Sequence, residues 1–304
     1  MTRAAAIDIG TNSVLLLVAE SGAAPHAVVE RATITRLGEG VDKTGELSAA
    51  ARARTLACLR EYAIVAREAG ATSLAAVGTS AMRDARGGPE FAREVEEVLG
   101  VAPRIISGEE EARLTFAGSL SGLSITGATV VFDVGGGSTE IVVGVGDRID
   151  ARVSLDIGSV RLTERHVAHD PPWPSEIDAA RATARSLLER APRPQGDVTV
   201  VGVAGTVTTL AAIHHVIVPY DGARVHGARM TAEEVTRVTH DLAKLSAAAR
   251  REVPGLDPKR ADVITCGAVI VDETLRFLGA RDLVVSDRGV RWGLVQQLLR
   301  AGTG

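Results

Sequence analysis

Ala6-Ile7-Asp8-Ile9-Gly10-Thr11-Asn12-Ser13, followed by Val14-Leu15-Leu16-Leu17-Val18, decides the fold, because the chain writes the same phrase twice. The second copy reads Val131-Phe132-Asp133-Val134-Gly135-Gly136-Gly137-Ser138, followed by Thr139-Glu140-Ile141-Val142-Val143. Asp8 aligns with Asp133, Gly10 with Gly135 and Ser13 with Ser138. Each copy is an apolar strand, an Asp, a glycine-bearing turn with a hydroxyl and a second apolar strand, which predicts a β-hairpin. The tip of such a hairpin offers backbone N–H groups, small polar side chains and one carboxylate. Two tips facing each other would hold a phosphate chain and its metal between two domains.

The residue types suit that chemistry. Glycine is expected to turn the backbone at positive φ and to let an anion approach the amides closely. Successive N–H groups that point into one concavity form an anion nest. Thr11, Ser13, Ser138 and Thr139 add hydroxyl donors and Asn12 adds an amide donor. An Asp at a strand end supplies the hard oxygen that Mg²⁺ prefers. A single copy reads equally well as a glycine hairpin with an incidental Asp. The duplication and the Gly-Gly-Gly-Ser-Thr run turn the reading toward phosphate.

With 304 residues the chain is long enough for two domains. Aromatic residues make up only 3%, so the cores must be built from Val, Leu, Ile and Ala. The net charge of −4 argues against nucleic-acid or membrane-surface binding. Lysine occurs only at Lys43, Lys244 and Lys259, and no Gly-x-x-x-x-Gly-Lys-Ser/Thr is present, which excludes a P-loop. The positive charge is carried by Arg, whose fork matches phosphate oxygens. Cys58 and Cys266 lie far apart in apolar helical patterns and read as two buried thiols of a reducing cytosol. The first strand begins by residue 4, with no signal peptide before it, and no apolar run is long enough to span a bilayer, so a cytoplasmic protein is expected.

Along the chain, Ser48 is the expected N-cap of an Ala- and Arg-rich helix with Leu56, Leu59, Ala63 and Ala66 on its apolar stripe and Gly70 at its end. Leu74–Val77 reads as a buried strand, and Pro89 opens a helix that Gly100 stops. Arg104–Ser107 is a short strand, after which Gly108 and three glutamates begin a helix. The polar residues 121–127 mark the domain boundary. Val198–Val203 leads through Gly205-Thr206 into a helix, a third glycine turn. Capping boxes are expected at Ser175–Asp178 and Thr231–Glu234, a helix from Asp257-Pro258 to Leu278, a last strand at Asp282–Ser286 and a last helix at Val290–Leu299. His166, His169 and Asp170 have a spacing that metal ligands allow, but no third ligand is evident, so surface histidines are expected. His214-His215 read as helix-end residues. Hairpin first, then alternating helices and strands, twice over, predicts a two-lobed α/β chain with mixed sheets.

Six stretches carry a resemblance. They are Asp8–Ser13, Gly78-Thr79-Ser80-Ala81-Met82-Arg83, Ile106-Ser107-Gly108-Glu109-Glu110-Glu111-Ala112-Arg113-Leu114, Asp133–Glu140, Gly205-Thr206 and Ser286-Asp287-Arg288-Gly289-Val290-Arg291. In this order they resemble the exopolyphosphatase/guanosine pentaphosphate phosphohydrolase (Ppx/GppA) family in its short two-domain form. The resemblance implies two actin-like (ribonuclease H-like) domains with mixed sheets flanked by helices and a cleft between them: residues 1–120 and 121–288, with a C-terminal helix of about 289–304 packed back on the first. It also implies that Glu111 is the catalytic base and that Gly10, Thr11, Asn12, Ser13, Arg83, Gly135, Gly136, Gly137, Ser138 and Thr139 bind phosphate. Asp133 and Glu140 would hold Mg²⁺ or another divalent cation.

Taken alone, the three glutamates are also what a helix N-terminus favours, Arg83 could be a surface arginine, and Glu140 could face solvent on an alternating strand. Glu110 and Arg113 stay open. The substrate implied is inorganic polyphosphate, with guanosine pentaphosphate or tetraphosphate and ATP or ADP as alternatives. A homodimer is a family expectation, and neither nucleic acid nor membrane is expected as a partner. A non-catalytic sensor and an ATP-dependent kinase of the same fold are readings of other classes; retention of the Glu111 motif speaks against both. Longer relatives carry a further helical domain, and Arg288 stands where the family commonly has glycine, adding a positive charge.

Overall fold

The repeated phrase builds the centre of two sheets. In a computed structural model that describes residues 2–22 and 25–301, the chain divides into two compact units. Unit 1 comprises the chain up to Gly118 and again from Val290, and unit 2 is Ser119–Gly289.

Unit 1 opens with β1 (Arg3–Ile9), β2 (Ser13–Glu20) and β3 (His26–Ile34), an antiparallel meander. After it come α1 (Val41–Thr44), α2 (Ala49–Glu68), β4 (Ser73–Gly78), α3 (Ser80–Asp84), α4 (Gly88–Leu99), β5 (Arg104–Ile105) and α5 (Gly108–Ser119). The sheet runs β3-β2-β1-β4-β5, with β4 parallel to β1. Unit 2 repeats the plan. It has β6 (Ala128–Val134), β7 (Thr139–Val145), β8 (Arg148–Leu155), α6 (Ser159–His166), α7 (Pro174–Leu188) and β9 (Thr199–Val203). Then follow α8 (Ala204–His214), α9 (Gly222–Val225), β10 (Arg229–Thr231), α10 (Ala232–Lys244), α11 (Ala247–Arg251), α12 (Ile264–Leu278) and β11 (Asp282–Val285). Its sheet runs β10-β11-β9-β6-β7-β8, with β9 parallel to β6. The last helix, α13 (Val290–Ala301), belongs to unit 1; residues 302–304 lie outside the described residues.

Mixed sheets flanked by helices are the expected fold class. The third strands, β3 and β8, are what the sequence reading missed. β3 is an edge strand of half-exposed and charged residues, including Glu30 and Arg31, so it carries little apolar signal. β1 shows the opposite case. Ala5, Ile7 and Ile9 pack with Leu59, Tyr62 and Phe91, while Ala4 and Ala6 pack with Trp292 and Val295. A strand covered on both faces reads as a continuous apolar run.

Several local expectations need correction. The stripe of α2 is centred on Cys58, Leu59 and Tyr62, and Leu56 and Ala63 are only partly buried. The box at Ser175 does not form; Trp173 is the N-cap of α7, and Glu176 reaches back to accept from the Trp173 and Ala168 amides. Those two bonds and His169 hold the Glu176 carboxyl down at about 2, the His169 hydrogen bond being the largest cause. Asp257-Pro258 starts a single 3-10 turn, Pro258–Arg260, and α12 begins only at Ile264. The box at Thr231 and Glu234 forms in both directions, and Ser48 caps α2 through the Ala51 amide.

Candidate functional site

Both hairpin tips close with the same bond. The Gly10 N–H donates to the Ser13 carbonyl at 3.0 Å, and the Gly135 N–H donates to the Ser138 carbonyl at 3.0 Å. The expectation of positive φ at the tip fails, because neither Gly10 nor Gly135 adopts it. The need is for close approach: a Cβ on Gly10 would sit 2.9 Å from the Ser13 carbonyl oxygen.

In both units the segment after the third strand then turns back on the tip. In unit 1 the Thr35 and Arg36 amides donate to the Asn12 carbonyl, and the Gly38 amide donates to that of Thr11. In unit 2 the Ser159 amide donates to the Gly135 carbonyl, and those of Val160 and Arg161 donate to that of Gly136. Sequence reasoning missed these segments. The signal was there, since Thr35-Arg36-Leu37-Gly38 and Gly158-Ser159-Val160-Arg161 follow matching strands and extend the repeat. Gly158 is required for contact rather than conformation, since its φ is an ordinary −153°. A Cβ there would lie 2.4 Å from the Gly136 carbonyl.

Pinning carbonyls leaves donors. Among the described residues, no hydrogen bond uses the N–H groups of Gly136, Gly137 or Ser138. In unit 1, Thr11 and Asn12 are buried, and Asn12 Nδ2 has no hydrogen-bond partner among the described residues. A buried amide left without a partner costs about 1–3 kcal/mol, which a ligand oxygen would recover. Ser13 is half-buried beside them, while Ser138 and Thr139 are buried in unit 2. The Thr139 hydroxyl donates to the Ile157 carbonyl at 2.7 Å, so it braces β7 against the chain beyond β8.

The carboxylates differ between the two copies. Asp133 and Glu140 are register partners on β6 and β7, so they share one face of the sheet. Glu140 is 1% exposed and accepts from Ser154 Oγ of β8 at 2.7 Å. Asp8 faces Leu15 in the corresponding register, so the first copy lacks the second carboxylate. Two carboxylates and a hydroxyl in one place form a hard-oxygen donor set that fits a divalent cation completing its shell with water. No cluster of three or more His, Cys, Asp or Glu side chains occurs among the described residues, and His166 and His169 instead contact Thr183 and Glu176.

Unit 1 also brings Arg83 and Glu111 together. Arg83 ends the short α3 after β4, and Glu111 lies in the first turn of α5. One guanidinium nitrogen of Arg83 donates to Glu111 Oε2 at 3.0 Å and to the Ile106 carbonyl at 3.2 Å. Arg83 Nε meets Asp84 at 3.3 Å. Glu111 is buried, while Glu109 and Arg113 are exposed and Glu110 pairs with Arg104 at 2.6 Å. The three glutamates of this helix N-terminus therefore differ in surroundings, and only Glu111 is buried. Arg288 is held on Ser121, donating to its carbonyl at 2.9 Å.

The family model described as the Ppx/GppA phosphatase family matches residues 16–301. The chain belongs to that family. It is 40% identical over 316 residues to exopolyphosphatase 2 of Mycobacterium tuberculosis, covering 98% of this chain and 99% of that one. Among solved structures it is similar to an exopolyphosphatase-like protein, with a TM-score of 0.93, 35% identity and coverage of 100% and 99% of the two chains. A family member from Aquifex aeolicus follows, with a TM-score of 0.84, 34% identity and coverage of 99% and 98%. No helix among the described residues is long and apolar enough to cross a membrane.

Proposed function

We propose that the chain is an exopolyphosphatase that releases terminal orthophosphate from inorganic polyphosphate by in-line attack of water. Membership of the Ppx/GppA phosphatase family supports a hydrolase of phosphoanhydride bonds. Polyphosphate as the substrate is supported by the near full-length relationship to the mycobacterial exopolyphosphatase.

The observation that carries hydrolysis over mere binding is Glu111, a buried carboxylate oriented by a guanidinium. A base so fixed takes a proton from water as the water oxygen bonds to the terminal phosphorus. The bridging P–O bond breaks, and the shortened chain leaves with the electron pair. The transferring group carries its charge on its equatorial oxygens, and fixed donors stabilise it there. In unit 2 the candidate donors are the amides of Gly136, Gly137 and Ser138. In unit 1 they are Asn12, with Thr11 and Ser13, and Arg83 lies beside the base. A divalent cation on Asp133 and Glu140, when bound, supplies neutralisation of phosphate charge.

The test is Glu111→Gln, which keeps the shape and removes the base. Orthophosphate release from polyphosphate should fall by at least about 10² in kcat, with thermal unfolding close to that of the parent. Near-normal turnover would remove Glu111 from this role.

A further inference from the structure

We propose that Arg161 is the positioning residue that aims the Ser138 amide at the phosphoryl group, completing a cradle that the backbone alone leaves unfinished. This rests on the exopolyphosphatase reading and deepens it.

A trans peptide is planar, with its C=O and N–H pointing in opposite directions. Fixing a carbonyl therefore aims the next residue's amide the other way. The Gly135 carbonyl is fixed by the Ser159 amide, which aims Gly136 N–H. The Gly136 carbonyl is fixed by the Val160 and Arg161 amides, which aims Gly137 N–H. These pins come from the first turn of α6 and need no particular side chain.

The third peptide is different. The next amide of the helix, that of Leu162, is already committed to the Gly158 carbonyl at 2.9 Å. Among the described residues, no backbone amide donates to the Gly137 carbonyl. Arg161 Nε fills that place at 2.8 Å, from a partly buried side chain. The peptide it holds is the one whose N–H belongs to Ser138. Gly137, on the carbonyl side of that peptide, lacks a Cβ and gains nothing from side-chain packing, so the peptide is free to turn about Gly137 without its pin. In unit 1 the Thr11 and Asn12 carbonyls are likewise pinned by backbone amides. The pin on the Gly137 carbonyl comes from a side chain, so mutation can remove it.

Three variants separate the possible roles. Arg161→Met removes the donor and the charge, Arg161→Gln keeps a donor without charge, and Arg161→Lys keeps the charge on a different donor. Two readouts are used: kcat and KM for tripolyphosphate, and calorimetric affinity for tripolyphosphate in the Glu111→Gln background, where turnover does not interfere. Loss of a whole oxyanion donor costs about 10²–10³ in kcat, so loosening one should cost about tenfold. Arg161→Met should lower kcat about tenfold and weaken binding less, while Arg161→Gln stays within about threefold of the parent in both.

Parity of Arg161→Met with the parent in both readouts overturns the proposal. So does rescue by Lys without rescue by Gln, which would make the residue a charge rather than a pin. If Arg161→Met fails to fold, the Gln and Lys pair still decides. A parent that binds tripolyphosphate without cleaving any polyphosphate overturns the exopolyphosphatase reading alone, and the binding ratios still judge Arg161. A parent that neither binds nor cleaves overturns both.

Discussion

Glu140 shows what a single residue's position can and cannot tell. An alternating strand leaves a carboxylate free to face solvent or the interior, and only the register with Asp133 and Ser154 places it inside. Its partner hydroxyl is 14 residues away in the chain, on a strand that carries little apolar signal. The carboxylate was legible as a candidate ligand and its hydroxyl partner was not, because cross-strand neighbours are set by register rather than by local sequence. If the pair holds the cation, Glu140→Gln should raise the divalent-cation concentration for half-maximal orthophosphate release at least about tenfold, as loss of a carboxylate from a hard-cation site implies. A metal titration of parent and variant reads this directly; unchanged metal demand would move the cation elsewhere.

The two thiols make an independent residue-scale case. Burial pushes the Cys266 thiol up to about 11 and raises that of Cys58 as well. Both should therefore resist thiolate-selective labelling at pH 8 in the folded protein and react promptly in denaturant. The sign of the linkage follows. Above pH 9 the unfolded chain releases the Cys266 proton that the folded chain keeps. Stability is thus intact below that pH and declines as pH rises toward about 11, at up to about 1.4 kcal/mol per pH unit. Urea midpoints at pH 8 and pH 10, with Cys266→Ala as control, measure it.

At the scale of elements, each glycine tip is only half of a device; the segment that follows the third strand is the other half. The tip was legible because glycine, hydroxyl and Asp are rare in that spacing and were written twice. The bracing segment was not, because it contributes backbone amides, which every residue carries. Its mark in the sequence is a glycine in each copy, Gly38 and Gly158, and the reason for each is a contact with a tip more than 20 residues away. Gly158→Ala should therefore act through the glycine loop of residues 135–138. The added Cβ meets backbone, at 2.4 Å from Gly136 and 2.5 Å from the Gly137 nitrogen, so no rotamer change can relieve it. Over-packing of this kind costs about 1–3 kcal/mol, and the loop or α6 must move. The expected result is at least a tenfold loss of kcat/KM for polyphosphate with a lowered but cooperative unfolding transition. Gly38→Ala is the contrast: its Cβ meets the side-chain Cγ2 of Thr11, a contact that side-chain rotation can relieve, and it should be milder. Equal effects of the two would argue against the bracing role of α6.

At the scale of the whole molecule, the chain leaves unit 1 after Gly118 and returns at Val290, so unit 1 lacks one layer until α13 has been added. Trp292, Leu294, Val295 and Leu299 cover the face of the first sheet made by Ala4, Ala6, Leu17 and Ala19. Arg291 ties the same helix to Glu30 on β3 at 2.5 Å. Four large side chains at about 1.5–3 kcal/mol each contribute roughly 6–12 kcal/mol, which is as much as the entire stability of an ordinary domain. A chain that stops at Gly289 should therefore lose unit 1 while unit 2, with its own core, persists. The two tryptophans would separate this from general unfolding, since Trp292 is buried in unit 1 and Trp173 is exposed in unit 2. In Trp173→Phe, where Trp292 is the sole fluorophore, Leu294→Ala with Leu299→Ala should shift emission toward that of exposed indole at a denaturant concentration that leaves Ser119–Gly289 resistant to protease. One shared transition, with both regions cleaved together, would instead mean that the layer supplied by α13 stabilises the two units as one.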